Sequence, residues 1–118
     1  MTRAGIFEVR EQRDGATTLL RISGELDLST VPVLARHVDE QLADKPTTLT
    51  LDLSALTFMD SSGLRLLIEL DERAHSEPWD LALIPSRQDS ANAVLRMTGA
   101  DAALPFEAAV PRPAQRDD

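Results

Sequence analysis

The segment Thr48 to Ser54, TLTLDLS, sets a leucine at every second position for the length of a strand, and soon after it the apolar spacing changes to that of a helix. A chain that switches period in this way commits itself to strands and helices packed on one another, and the switch recurs along the sequence. Upstream, Thr17 to Ser23 carries Leu20 and Ile22 on one face and Leu19 and Arg21 on the other, with Gly24 placed to end the strand. Val31, Leu34, Ala35, Val38 and Leu42 then form a helical stripe. Ser29 or Thr30 can cap that helix, Pro32 suits its first turn, and Pro46 closes it. Downstream, Gly63, Leu67, Leu70 and Ala74 line one helical face with Leu64 beside it. Arg65, Glu69, Glu72, Arg73 and Ser76 fall on the opposite face, where Glu69 and Arg73 stand in the favourable i, i+4 order. Leu81 to Ile84 reads as a short strand buried on both faces and ended by Pro85. Asp89 or Ser90 can cap a third helix through Met97, with Gly99 placed as its left-handed C-terminal cap.

Ahead of these elements, Ile6, Phe7 and Val9 signal a strand, followed by the polar run Arg10 to Arg13 and by Asp14-Gly15, a pair suited to a tight hairpin turn. The order is strand, strand, helix, strand, helix, strand, helix. It predicts an α/β fold, a single small domain with a mixed, mostly parallel sheet of about four to five strands and about three to four helices. In such sheets partners are met at the loops leaving the carboxyl ends of the strands. Those loops are Gly24 to Ser29, Ala55 to Ser62 and Pro85 to Asp89, with Ala55 to Met59 read as a connection. Residues 107–118, EAAVPRPAQRDD, have little apolar content and two prolines, and are expected to be a mobile tail behind a domain of residues 1–106.

Composition narrows the function. Twenty acidic against 12 basic residues give a net charge of -8, which disfavours phosphate backbones and anionic lipid, so neither direct nucleic-acid binding nor membrane insertion is expected. With no cysteine there is no disulfide, thiolate metal site or cysteine nucleophile. The start of the chain lacks an apolar run of signal-peptide length, which points to the cytoplasm.

The segment Phe58-Met59-Asp60-Ser61-Ser62-Gly63-Leu64 lies where a strand gives way to a helix. Its plainest reading is capping, with Asp60 or Ser61 accepting from the free N–H groups of the first turn. Two successive hydroxyls at a position where the helix dipole favours an anion admit a second reading. A phosphate on Ser61 would find N–H donors waiting, and the site would act as a surface switch.

FMDSSGL after TLTLDLS, preceded by LRISGELDLST and followed by DLALIP and VLRMTGADAALPF, resembles a STAS domain of the bacterial anti-sigma-factor antagonist type over residues 6–106. The resemblance implies that an anti-sigma factor, itself a serine/threonine kinase of histidine-kinase-like ATPase fold, phosphorylates Ser61. It implies that the unmodified protein binds this kinase and frees the sigma factor, that the phosphorylated protein lets go, and that a phosphatase reverses the mark. Ser62 fills the family's second hydroxyl position, Asp27 matches its kinase-facing aspartate, and Asp60 and Gly63 complete the expected contact set. Arg65 stands where many antagonists carry a small residue. The alternative within the same fold is a constitutive accessory subunit of a membrane lipid or anion transport system.

Chemistry by the chain itself finds little support. A base for Ser61 would have to be His37 or His75, both read as solvent-facing helix residues without a spaced carboxylate partner, and no G-x-S-x-G elbow is present. No catalytic residue, metal or cofactor is therefore expected, and any nucleotide belongs to the partner kinase. Trp79 after Pro78 reads as a partly buried anchor.

Overall fold

A Gly15-Ala16 turn, one residue on from the expected Asp14-Gly15 pair and with Gly15 at φ 63°, joins β1 (Glu8–Asp14) to β2 (Thr17–Leu26) in an antiparallel hairpin whose register runs from Glu8 opposite Ser23 to Asp14 opposite Thr17. The computed structural model describes residues 6–113. The remaining elements are α1 (Val31–Leu42), β3 (Thr48–Met59), α2 (Ser61–Ser76), β4 (Asp80–Ile84), α3 (Asp89–Thr98) and α4 (Ala100–Ala103). The four strands lie side by side in chain order, with β2, β3 and β4 parallel. A mixed, mostly parallel sheet carrying helices is the architecture the alternation of periods predicted.

Leu20 and Ile22 of β2, Leu49, Leu51 and Leu53 of β3, and Leu81 and Leu83 of β4 form the buried stripes of the sheet. Leu34 and Val38 of α1, Leu64, Leu66, Leu67 and Leu70 of α2, and Ala91 and Leu95 of α3 close over the same core. Among the described residues no helix is long and apolar enough to cross a membrane.

Several sequence expectations need correction. The polar run Arg10 to Arg13 is strand, because β1 is an edge whose side chains face water almost throughout. Gly24 does not end β2. At φ 99° it sits in an irregularity of the β2–β3 register, close against the backbone of Ile6, and the strand continues to Leu26. Residues 55–59 are the second half of β3, pairing with β2 through Ala55, Leu56, Phe58 and Met59. Strand β4 is buried on one face only, since Ala82 and Ile84 remain half-exposed at the sheet margin. Its free edge is met by the following chain: the Leu83 N–H donates to the Pro105 carbonyl at 3.0 Å and the Glu107 N–H donates to the Leu83 carbonyl at 2.8 Å.

The Glu69–Arg73 pair is replaced by one tertiary partner and one local partner four residues on. Arg73 donates to Asp39 of α1 at 2.9 Å and to Glu77 at 3.3 Å. Packing also continues past the boundary drawn at Phe106, because Val110 is buried in the core and Arg96 donates to the Pro111 carbonyl at 3.3 Å. Residues 114–118 of the expected tail lie outside the described residues. Gly99, at φ 79°, is the left-handed cap of α3 as expected, but the N-cap is Gln88, and Asp89 and Ser90 lie inside the first turn. Trp79 is buried, its indole N–H donating to Glu77 at 2.9 Å.

Candidate functional site

Since β2 and β3 both run farther than their alternation suggested, the loops at their carboxyl ends are short and close together. The Asp60 N–H donates to the Leu26 carbonyl at 3.2 Å, tying the exit of β3 to the exit of β2. One residue, Asp60, separates β3 from α2, with extended backbone at φ -107° and ψ -171°. Its carboxylate Oδ1 accepts from the N–H groups of Ser62 at 2.9 Å and Gly63 at 3.2 Å, and its carbonyl accepts from Leu64 at 3.1 Å. Asp60 is therefore the cap, and Ser61 is the first helical residue.

This geometry alters one expectation. The N–H donors anticipated for a phosphate on Ser61 are already taken by Asp60 at Ser62 and Gly63. Ser61 itself is exposed, and its hydroxyl makes no hydrogen bond among the described residues. A group added to it projects into solvent and meets the negative charge of Asp60 nearby. Ser62 is half-buried behind it. Gly63 is buried, and a Cβ built there would lie 2.8 Å from Met59 Cγ and 2.9 Å from Leu26 Cγ. Of the expected contact set, Gly63 thus offers no surface to a partner; its bare backbone lets α2 seat against the ends of β2 and β3.

Asp27 begins the connection from β2 to α1 and is spent locally. Its Oδ1 accepts from Ser29 Oγ at 2.8 Å, from the Ser29 N–H at 3.0 Å and from the Thr30 N–H at 3.2 Å. The Ser29 hydroxyl is the main cause that holds the Asp27 carboxyl below its ordinary value, against the opposing effect of partial burial. Thr30, at the N-cap position, donates its hydroxyl to the Glu25 carbonyl at 2.7 Å instead of capping α1. This bonding fixes the loop and turns Leu28 outward, 76% exposed. Leu28 and Val31 form one wall of a groove of about 320 Å³ whose other wall is Ser61, Ser62, Arg65 and Glu69. A shallower groove on the other side of Ser61 is lined by Arg65, Ile68 and Glu72.

The structure thus brings Ser61 and Ser62 together with Leu28, Arg65 and Ile68 at one end of the sheet. Leu28 and Ile68 were not singled out by sequence reasoning; a second leucine two residues beyond Leu26 in the polar stretch GELDLST was the available signal for the first. The third loop is braced to the same end, with Ser86 Oγ donating to the Leu56 carbonyl at 2.6 Å and Ser90 Oγ bonded to the Thr57 carbonyl.

The histidines stand apart from this site. His75 lies in the last turn of α2 and bonds the Asp71 carbonyl at 2.7 Å. His37 does have a carboxylate partner, contrary to expectation: Glu11 of β1 approaches its Nδ1 to 3.1 Å, with Glu40 close by. The hairpin brings that partner from 26 residues away, which no local spacing reveals.

Residues 9–105 match the family model described as "Mlab, STAS domain". The chain belongs to the STAS family. It is 44% identical over 55 residues to the anti-sigma-F factor antagonist RsfB of two Mycobacterium tuberculosis strains, a match spanning 47% of this chain and 45% of each relative. Less than half the length of these curated relatives is therefore matched. Across 95% of this chain and 92% of the other, the STAS fold here is similar to the crystal structure of an anti-sigma factor antagonist from Mycobacterium paratuberculosis, with a TM-score of 0.77 and 25% identity. The antagonist SpoIIAA in its unphosphorylated form shares the fold at a TM-score of 0.67 and 20% identity, over 87% of this chain and 89% of that one.

Proposed function

We propose that this STAS domain is a cytoplasmic anti-sigma-factor antagonist whose unphosphorylated form binds an anti-sigma factor with serine kinase activity and releases the sigma factor. The observation that carries this reading is the exposed, unbonded Ser61 hydroxyl beside exposed Leu28 in a chain similar to anti-sigma factor antagonists. Asp27, Asp60 and Ser62 frame that surface, Leu28 and Ile68 supply its apolar contact, and buried Gly63 sets the seat of the helix beneath it.

In the phosphoryl transfer, Ser61 Oγ bonds the γ-phosphorus of ATP held by the kinase while the bond from that phosphorus to the bridging oxygen breaks. ADP departs, and the hydroxyl proton passes to a base of the kinase. The product adds a charge of about -1.5 to -2 beside Asp60. Across an interface packed on the hydroxyl, that group must be desolvated or find a cation on the kinase, and without one there binding weakens by several kcal/mol. A phosphatase restores the binding form.

The test is incubation with the cognate kinase and ATP, read by intact mass. Wild type gains one phosphate and Ser61→Ala gains none. Equal modification of the variant, mapped to Ser62, refutes the assignment. Equal affinity of the kinase for phosphorylated and unmodified protein leaves the constitutive accessory role in its place.

A further inference from the structure

Ser61 and Arg65 stand one turn apart on α2 and border the same two grooves, one toward Leu28 and one toward Ile68. Residues at this spacing have Cβ atoms about 5–6 Å apart, within the reach of a guanidinium. Arg65 is the one cation among the residues lining either groove. Among the described residues it forms no salt bridge, whereas Arg13, Arg73 and Arg96 are each held by carboxylates. The acid that shares both grooves, Glu69, lies four residues after Arg65, which is the less favourable order for a helical ion pair. An anion at position 61 precedes Arg65 by four residues, which is the favourable order. The N–H groups of Ser62 and Gly63 are already bonded to Asp60, so they do not compete for that anion.

We propose that Arg65 is the cis partner of phosphorylated Ser61: its guanidinium turns from solvent onto the phosphate and holds the dianion on the antagonist's own surface. The inference rests on the reading of Ser61 as the phosphoacceptor and adds a regulatory residue to it. Arg65 is a positioning residue here, since it takes no part in the transfer of the phosphoryl group. The pair offsets the repulsion from Asp60, Glu69 and Glu72 and favours the dianionic over the monoanionic phosphate.

Phosphoserine encoded genetically at position 61 makes the test independent of any kinase. Phosphorus NMR then follows the second ionisation of the phosphate, ordinarily near pH 6. Replacing Arg65 by Ala is expected to raise that pKa by about 0.2 to 0.7 units, the span an exposed charge pair supplies, while Arg65→Lys retains most of the effect. Arg73→Ala removes the same formal charge farther along α2 and is expected to leave the pKa within about 0.1 units. An unchanged pKa in Arg65→Ala, or an equal rise in Arg73→Ala, overturns the cis pair. Absence of kinase-catalysed modification at Ser61 would instead overturn the phosphoacceptor reading, and the titration would still report whether Arg65 can hold a phosphate there.

Discussion

Two side chains at the site carry charge into fixed hydrogen bonds, and one glycine has no room for a side chain at all. A methyl group at Gly63 must displace Met59 and Leu26 from the ends of two core strands. Gly63→Ala is therefore expected to lower stability by about 1–3 kcal/mol, the cost of overpacking a filled site, seen as a lower urea midpoint at unchanged slope. Asp27 has its carboxyl pKa lowered chiefly by the Ser29 hydroxyl. A carboxyl lowered on folding stabilises the native state above its unfolded value of about 3.9 and loses that contribution as the pH falls through the folded value. The difference in thermal midpoint between wild type and Asp27→Asn should thus be greatest near neutrality and shrink as the pH falls below the unfolded value and on through the lowered folded one. A constant difference across that range would show that Asp27 acts through shape alone. At this scale the sequence announced a cap at Asp60 or Ser61, and the bonds of the Ser62 and Gly63 N–H groups assign it to Asp60. The outward turn of Leu28 was not readable, because it depends on how Asp27, Ser29 and Thr30 divide their bonds.

Among the elements, helices were legible from their apolar stripes, since α1 and α2 each bury one face and a period of 3.6 expresses that directly. Strand ends were not. The second half of β3 follows irregular register against β2, so the alternation that marks Thr48 to Ser54 fades while the pairing continues to Met59. Arg73 likewise finds Asp39 on a neighbouring helix, and local spacing says nothing about a partner 34 residues away. The chain after α4 is a similar case. Val110 is a single apolar residue in a proline-containing stretch and has no period, yet it is buried. Val110→Ala is expected to cost about 1–2 kcal/mol by the loss of buried methyl groups, measured by equilibrium denaturation. A change below about 0.5 kcal/mol would place Val110 among residues that touch nothing essential.

At the scale of the whole molecule, the phosphate proposed for Ser61 would join a chain already at -8 without entering the core, because Ser61 is exposed and its neighbours Ser62 and Gly63 are bonded to Asp60. Phosphorylated protein should therefore keep its far-ultraviolet circular dichroism and a thermal midpoint within about 3 °C of the unmodified form while losing affinity for the kinase. A large drop in midpoint would mean that the modification acts by loosening the fold. The parallel arrangement of β2 and β3 has a further consequence, one of time. The pairing that begins at Thr17 opposite Thr48, with Thr47 bonded to a carbonyl 31 residues back, can close only after α1 and its connections have been brought round. Such non-local pairing slows folding relative to a helical bundle of the same size. Under the proposed switch, a mark written on the exposed start of α2 bypasses that slow step, and exchange of partners requires no refolding of the chain.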